Sequence, residues 1–223
     1  MNVNTGTASF TINIERTVSD EYFSFTTSDA EYNVLCKIRS MPNSAYLLDN
    51  ADFALGIVTG NNKEYISDIK NENNEMILKG ADICKYHITR TNNYIVFKPE
   101  NFQQAAPTEM YRSPEKLLYR FISSQLVFAY DDKQTLSLNS CNIVIPRLPG
   151  IKIKYVLAIL NSRIAQFIYK KEFNSVKVLR SHIENIPIPT ADASTQAEII
   201  ALTDKLISGL QSAEAEKVYD ELD

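Results

Sequence analysis

The sequence has no tryptophan, only two histidines, three cysteines and six glycines in 223 residues. Each scarcity removes a class of chemistry. No G-x-G-x-x-G and no G-x-x-x-x-G-K pattern is present, so the common phosphate-cradling loops are missing. His87 and His182 stand far apart, and Cys36, Cys84 and Cys141 form no C-x-x-C pair, so the four close ligands of a structural zinc site are not on offer. An odd number of distant cysteines gives no disulfide framework, and we expect three reduced thiols in the core. With isolated histidines and no G-x-S-x-G elbow, a nucleophile oriented by a base is also lacking. No apolar run approaches the roughly 20 residues of a membrane helix. Met1 to Phe10 holds neither a basic residue nor the apolar core of a secretory signal. These absences predict a cytoplasmic chain with no membrane contact and no metal or cofactor of its own.

What remains is ordinary globular material, 44% hydrophobic and 22% charged, which excludes a disordered or collagen-like chain. The length suits one large domain or two small ones, with a core that needs no staples. The formal net charge of −4 argues against a nucleic-acid partner, but its distribution argues the other way. Residues 1–78 carry 5 Lys/Arg against 11 Asp/Glu, and residues 191–223 carry 2 against 8, a net of −6 each. Residues 79–120 carry 7 against 4, and residues 147–180 carry 8 against 1, a net of +7. Counterion release depends on local charge, so such a segment can form a phosphate-contacting surface on an acidic protein. The alternative is a solvated helix face that balances the acidic ends.

Hydrophobic periodicity divides the chain. Phe10, Ile12 and Ile14 alternate with polar residues as in a short strand. Ser28 and Glu31 have capping-box spacing ahead of Val34, Leu35 and Ile38, which predicts a helix over 29–40 that ends at Met41-Pro42. From 53 to 145 the pattern is strand-like: Phe53–Val58, Tyr94–Phe97, Lys116–Ile122, Leu126–Tyr130 and Asn142–Ile145, separated by turn signals such as Gly60-Asn61-Asn62 and Asp131-Asp132. Past Gly150 the period changes. Val156, Ile159, Leu160, Ile164, Phe167 and Ile168 recur at helical intervals and predict one amphipathic helix over 152–171. Ile186-Pro187-Ile188-Pro189 must be extended. Thr195 and Glu198 suggest a second capping box and a helix over 195–211. The expectation is an α+β fold, with a variable connecting segment over 1–50, a β-rich region over 51–150 and a helical region over 151–223 completing the same domain.

Catalytic constellations are hard to find. Asp131-Asp132 reads as a turn or as the metal-binding pair of a nuclease, and the turn is the commoner use of such residues. Polar side chains able to read bases are abundant: 19 asparagines, several in Asn61-Asn62-Lys63, Arg90-Thr91-Asn92-Asn93-Tyr94 and Asn139. Asn pairs bidentately with adenine and Arg with guanine, although asparagine is also a standard turn residue.

The order of segments is more telling. Leu55-Gly56-Ile57-Val58-Thr59-Gly60-Asn61-Asn62-Lys63-Glu64-Tyr65-Ile66 resembles a G-I-x-T-G-x-N-x-x-[FY]-I block. Leu78 to Ile83 resembles L-x-G-x-D-I, and Lys116 to Arg120 resembles K-L-[LV]-x-R. Phe128 to Asp132, Leu138-Asn139-Ser140, Tyr155 to Ser162, and Ile186-Pro187-Ile188-Pro189 with Gln196 continue the series. In this order, over about 53–207, the blocks resemble the C-terminal specificity domain of TaqI-like and type IIG adenine-specific DNA methyltransferases.

The resemblance implies a sequence-specific, double-stranded-DNA-binding target-recognition domain of a restriction-modification system. Such a domain acts opposite a methyltransferase domain that flips the target adenine and methylates it at N6 from S-adenosylmethionine. The family's F-x-G-x-G loop and N-P-P-[FY] tetrapeptide do not occur here. The chain is therefore expected to recognise DNA without catalysis, beside a methyltransferase domain or subunit that holds the cofactor. The competing expectation is a type I-like specificity subunit that joins methyltransferase partners through its helices; a stand-alone nuclease is a third. Under the first reading, Arg163, Lys170, Lys171, Lys177 and Arg180 would clamp phosphates. Lys63, Arg90, Asn92, Arg112 and Arg120 would serve the β region. Arg120 has a buried salt bridge as an alternative role, and Asn161-Ser162 has helix packing.

Overall fold

The computed structural model describes residues 1–4, 6, 8–13, 27–89, 91–209 and 212–222. Ile14 and Arg90 lie outside them. A hairpin of β1 (Asn2–Asn4) and β2 (Ser9–Thr11) precedes α1 (Asp29–Arg39), β3 (Ser44–Ala45) and β4 (Ala51–Ala54). The middle of the chain holds α2 (Asn62–Tyr65), β5 (Ile66–Ser67), β6 (Glu75–Leu78), β7 (Tyr94–Ile95) and α3 (Thr108–Tyr111). Then come β8 (Lys116–Arg120), β9 (Phe128–Asp131), β10 (Leu136–Ser137) and β11 (Cys141–Pro146). The last part holds α4 (Ile153–Asn161), α5 (Arg163–Ile168), α6 (Arg180–Glu184), β12 (Ile188–Pro189), α7 (Ala193–Ile207) and α8 (Ser212–Leu222). The fold is α+β.

An antiparallel sheet in the order β4-β11-β8-β9 separates two cores. Side chains alternate across a strand. Leu117, Tyr119, Phe128, Tyr130 and Val144 face a core shared with α4, α5 and α7, while Ala54, Leu118, Ala129, Ile143 and Ile145 face a second core. Burial on both faces explains why the runs at 116–122 and 142–145 read as nearly continuous apolar stretches. The second core is closed by a small sheet in the order β10-β6-β7-β5. The first also takes Leu35 of α1, so the segment before residue 50 packs with the helical half.

Edge strand β9 is covered by the Tyr86 backbone, which donates to the Phe128 carbonyl at 2.7 Å and accepts from the Tyr130 N–H at 3.2 Å, and by side chains. The Asn161 carboxamide accepts from the Phe128 N–H and donates to its carbonyl, both at 3.0 Å, and Gln166 does the same for Leu126 at 2.8 and 2.9 Å. Unpaired strand edges invite association, and here the Tyr86 backbone and two helices fill that role. Lys116 and Asp131, both fully buried, form an ion pair between β8 and β9; Lys116 also donates to the Tyr111 carbonyl at 2.8 Å, and Asp131 accepts from Thr135. Burial pulls the Lys116 pKa down against the opposing charge of Asp131. Asp131 thus ends a strand, instead of lying in the expected turn.

Local signals held unevenly. The Ser28–Glu31 capping box forms as expected on α1. The single helix over 152–171 does not: Ser162 is extended at ψ 161°, closes α4 and caps α5 by accepting from the Ala165 N–H. The chain then widens into a π-helical turn over Tyr169–Phe173. Helix α7 starts before Thr195, because the Asp192 carboxylate caps it by accepting from the Thr195 N–H at 2.8 Å. The expectation of three core thiols is corrected: Cys36 is exposed, Cys84 half-buried and only Cys141 buried, where desolvation pushes its thiol pKa up.

Candidate nucleic-acid interface

Three motif blocks far apart in sequence meet around residues 137–142. Ile57 donates to the Ser137 carbonyl at 2.7 Å, Leu138 to Leu78 at 2.8 Å, and Asn139 to Ile57 at 3.1 Å. The glycines of the first two blocks permit this clasp. A Cβ on Gly56 would lie 2.1 Å from the Leu138 carbonyl oxygen, and one on Gly80 2.5 Å from that of Ser140. Their N–H groups donate to Asn142 Oδ1 and Ser140 Oγ, each at 3.0 Å. The backbone approach leaves no room for a side chain at either position.

The clasp brings Asn139 beside the loop that leads into α2. Val58, Thr59, Gly60, Asn62, Gln103 and Asn139 line a polar cleft. A neighbouring cleft, sharing Asn62, is lined by Lys63, Ile66, Ser67, Asp68, Lys79 and Asn93. Gly60 takes the left-handed conformation at φ +82°, and the Thr59 hydroxyl donates to Asn62 Oδ1 at 2.6 Å. Gln103 is held by its neighbour: Val58 and Gln104 exchange backbone hydrogen bonds at 2.9 and 3.0 Å. Lys79 Nζ donates to the Asn93 carboxamide, a neutral partner that leaves the lysine charge in place.

The residues expected to bind DNA fall into two groups. Lys63 is exposed on the second cleft, and Asn92 is exposed one residue from Asn93. Arg112, by contrast, is engaged bidentately by Glu75 at 2.6 and 2.7 Å and lies 5.0 Å from the Phe97 ring centroid. The hydrogen bonds from Arg112 to Glu75 are what raise its pKa. Arg120 makes no salt bridge among the described residues; its guanidinium donates to the Ile83 carbonyl, with Nε at 2.8 Å.

The +7 segment is largely balanced by the acidic parts of the chain. Arg147 pairs with Asp52 at 2.9 Å, Lys154 with Asp204 at 2.7 Å, Lys171 with Glu31 at 2.7 Å and Arg180 with Glu184 at 2.7 Å; Arg163 pairs with Asp220. The hydrogen bond from Lys171 is the main reason that the Glu31 carboxyl titrates below its ordinary range. Lys170 and Lys177 are exposed, with no ion pair among the described residues. The structure therefore brings Lys63 together with Asn62, Lys79 and Asn93, leaves Arg112 and Arg120 engaged elsewhere in the β region, and spreads Arg163, Lys170, Lys171, Lys177 and Arg180 over the helical half. Gln103 and Lys79 were missed. Lys79 stands inside the L-K-G-A-D-I block, whereas no local signal marks Gln103, which enters through long-range pairing of its neighbour. No group of three or more His, Cys, Asp or Glu able to hold a metal occurs among the described residues. No described helix is long and apolar enough to cross a membrane.

No curated protein matches the sequence. Among solved structures, the type IIL restriction-modification enzyme MmeI, determined in complex with DNA, resembles the chain with a TM-score of 0.52 at 9% identity, over 77% of this chain and 31% of that one. The HsdS subunit from Thermoanaerobacter tengcongensis aligns at 12% identity over 87% of this chain and 47% of that one, with a TM-score of 0.45. A structure from a study of complex assembly in a type I restriction-modification system aligns at 15% identity over 87% and 50%, with a TM-score of 0.47. The chain thus spans half or less of each. At such identities the MmeI likeness speaks to fold alone. The TaqI-like C-terminal specificity domain matches residues 75–188, half of the chain, which includes β6 through β11, the first residue of β12 and the segment clasped by Gly56 and Gly80. The chain belongs to the TaqI-like C-terminal specificity domain family.

Proposed function

We propose that this chain recognises a double-stranded DNA target for a restriction-modification adenine-N6 methyltransferase of the type IIG kind. In this reading it supplies specificity and no chemistry, and works in the cytoplasm beside a domain or subunit that holds S-adenosylmethionine. The observation that carries the reading is the family match over 75–188. The geometry supports it, because the matched segment helps to build a polar cleft flanked by exposed lysine, and phosphate contacts position a protein while base contacts specify. Lys63, Lys79, Lys170 and Lys177 are the phosphate contacts it favours, with Asn92 next to Asn93 of the second cleft; Arg90, outside the described residues, stays a candidate from the sequence alone. Arg112, Arg120, Arg163, Lys171 and Arg180 would reach phosphate only by giving up their present partners.

The test is filter binding of duplex DNA across a salt series by the full chain together with its methyltransferase. Binding should weaken linearly on a log–log plot of affinity against salt, and specific duplex should hold on against competitor DNA. Binding by the methyltransferase that is unchanged in strength, salt slope and sequence preference when the chain is added would overturn the proposal.

A further inference from the structure

We infer that the cleft formed by Gly60, Asn62, Gln103 and Asn139 reads the major-groove edge of an adenine, with Gln103 and Asn139 as specificity-determining side chains. This deepens, and rests on, the DNA-recognition reading. The starting point is an accounting of carboxamides in an asparagine-rich chain. Those of Asn74, Asn142 and Asn161 are spent inside the fold, on the Ile69 carbonyl, the Gly56 N–H and the Phe128 backbone respectively. The Gln103 and Asn139 carboxamides are exposed and, among the described residues, have no hydrogen-bond partner. They line the same concavity. Asn62 adds its Nδ2 donor, since its Oδ1 is already taken by Thr59. Gly60 turns the loop here at φ +82°, a conformation that side-chain-bearing residues rarely adopt.

The chemistry of the lining selects the ligand. No charged side chain borders this cleft, although Lys63 and Lys79 border the adjoining one. Phosphate would call for cations or a cluster of backbone N–H groups. Guanine offers two acceptors and is met by Arg or Lys, and cytosine offers a donor and is met by a carboxylate; neither residue type lines the cleft. Adenine offers the N6 donor beside the N7 acceptor, and a carboxamide answers both in one plane. The division of labour is then spatial: neutral amides in one cleft read the base, and lysines in the next hold the backbone.

The experiment is selection from a duplex library randomised at its centre, using the full chain with its methyltransferase. Wild type is compared with Gln103→Ala, Asn139→Ala, Gln103→Glu and Asn139→Asp. All four changes are at exposed positions, and circular dichroism checks that the fold is kept. Wild type should enrich a motif containing adenine. At least one alanine variant should lose about ten- to a hundredfold of the preference at one adenine while other positions persist. The matching acidic variant should turn that position towards cytosine, an exchange that a structural role would not produce. An unchanged motif in all four variants overturns the inference while leaving DNA recognition intact. A wild-type motif identical to that of the methyltransferase alone overturns both.

Discussion

The two cation-bearing regions of the molecule differ in what holds their charge. Residues 147–180 are the most basic stretch of the sequence, yet five of their eight cations sit in ion pairs with Asp52, Asp204, Asp220, Glu31 and Glu184. The loop end of the β region is less basic in sequence, but Lys63 has no acidic partner among the described residues and Lys79 leans on a neutral amide. Net charge along a chain measures what is available to pair. Free charge at a surface is what remains after folding has matched the acidic ends to the basic middle. Counterion release responds to the second quantity.

The largest effect lies where pairing is complete. Lys116 and Asp131 are fully buried, so removing one partner strands the other charge in the core. Asp131→Ala should destabilise the fold by about 3–5 kcal/mol in urea unfolding, whereas the double change Lys116→Met with Asp131→Leu should recover most of that stability. A single change that costs no more than an exposed pair, below about 1 kcal/mol, would show that pairing in this chain does not scale with burial.

The next effect separates the two regions directly. Replacing Lys63 and Lys79 with Gln should weaken binding to all DNA sequences and reduce the salt slope by about 0.9 for each phosphate no longer neutralised. Arg163→Gln and Arg180→Gln should leave the slope nearly unchanged. The comparison sharpens in the opposite direction when the acids are removed. Asp52→Asn with Asp204→Asn removes the acidic partners of Arg147 and Lys154, and should steepen the salt dependence of non-specific binding. If Arg163 and Arg180 carry the slope and Lys63 and Lys79 do not, the helical face is the phosphate clamp after all.

Sequence periodicity was enough for elements whose cause is local. The α1 capping box lies within four residues, and the strands β8, β9 and β11 announce themselves by apolar runs bounded by turns. Long-range causes were not legible. Arg39 meets Glu172 across 133 residues, and nothing in either neighbourhood marks the partner. The glycines of two motif blocks were visible, but their reason is a carbonyl about 60 to 80 residues away in the chain. Ser162 likewise interrupts a run of helical periodicity because its hydroxyl accepts the Ala165 N–H, a choice that hydrophobic spacing does not record. For the site, Asn62, Lys63 and Asn139 stood out as polar loop residues. Gln103 could not, because only the pairing of Val58 with Gln104 carries it to the cleft.

The smallest effect asks whether the helical half registers one added charge. His182 sits in α6 next to Arg180 in the turn, with its ring stacked on Phe173 at 4.4 Å between centroids and Nδ1 accepting from the Leu179 N–H at 3.2 Å. Burial holds its pKa below the ordinary 6.5, so folding favours the neutral ring. Because the folded-state value is the lower one, the contribution is fully present above about pH 6.5 and is lost as pH falls through the folded-state pKa. Two carboxyls of the helical half, Glu31 and Asp192, are held below their ordinary range and titrate at more acid pH, which leaves this window to histidine. Thermal unfolding from neutrality to mild acid should therefore show a small decline in wild type. His182→Phe keeps a ring against Phe173 but cannot take up a proton, and its decline should be shallower. Equal declines in the two proteins would mean that the folded His182 ring takes up its proton as readily as the unfolded one, and that its burial against Phe173 carries no cost for the charged form.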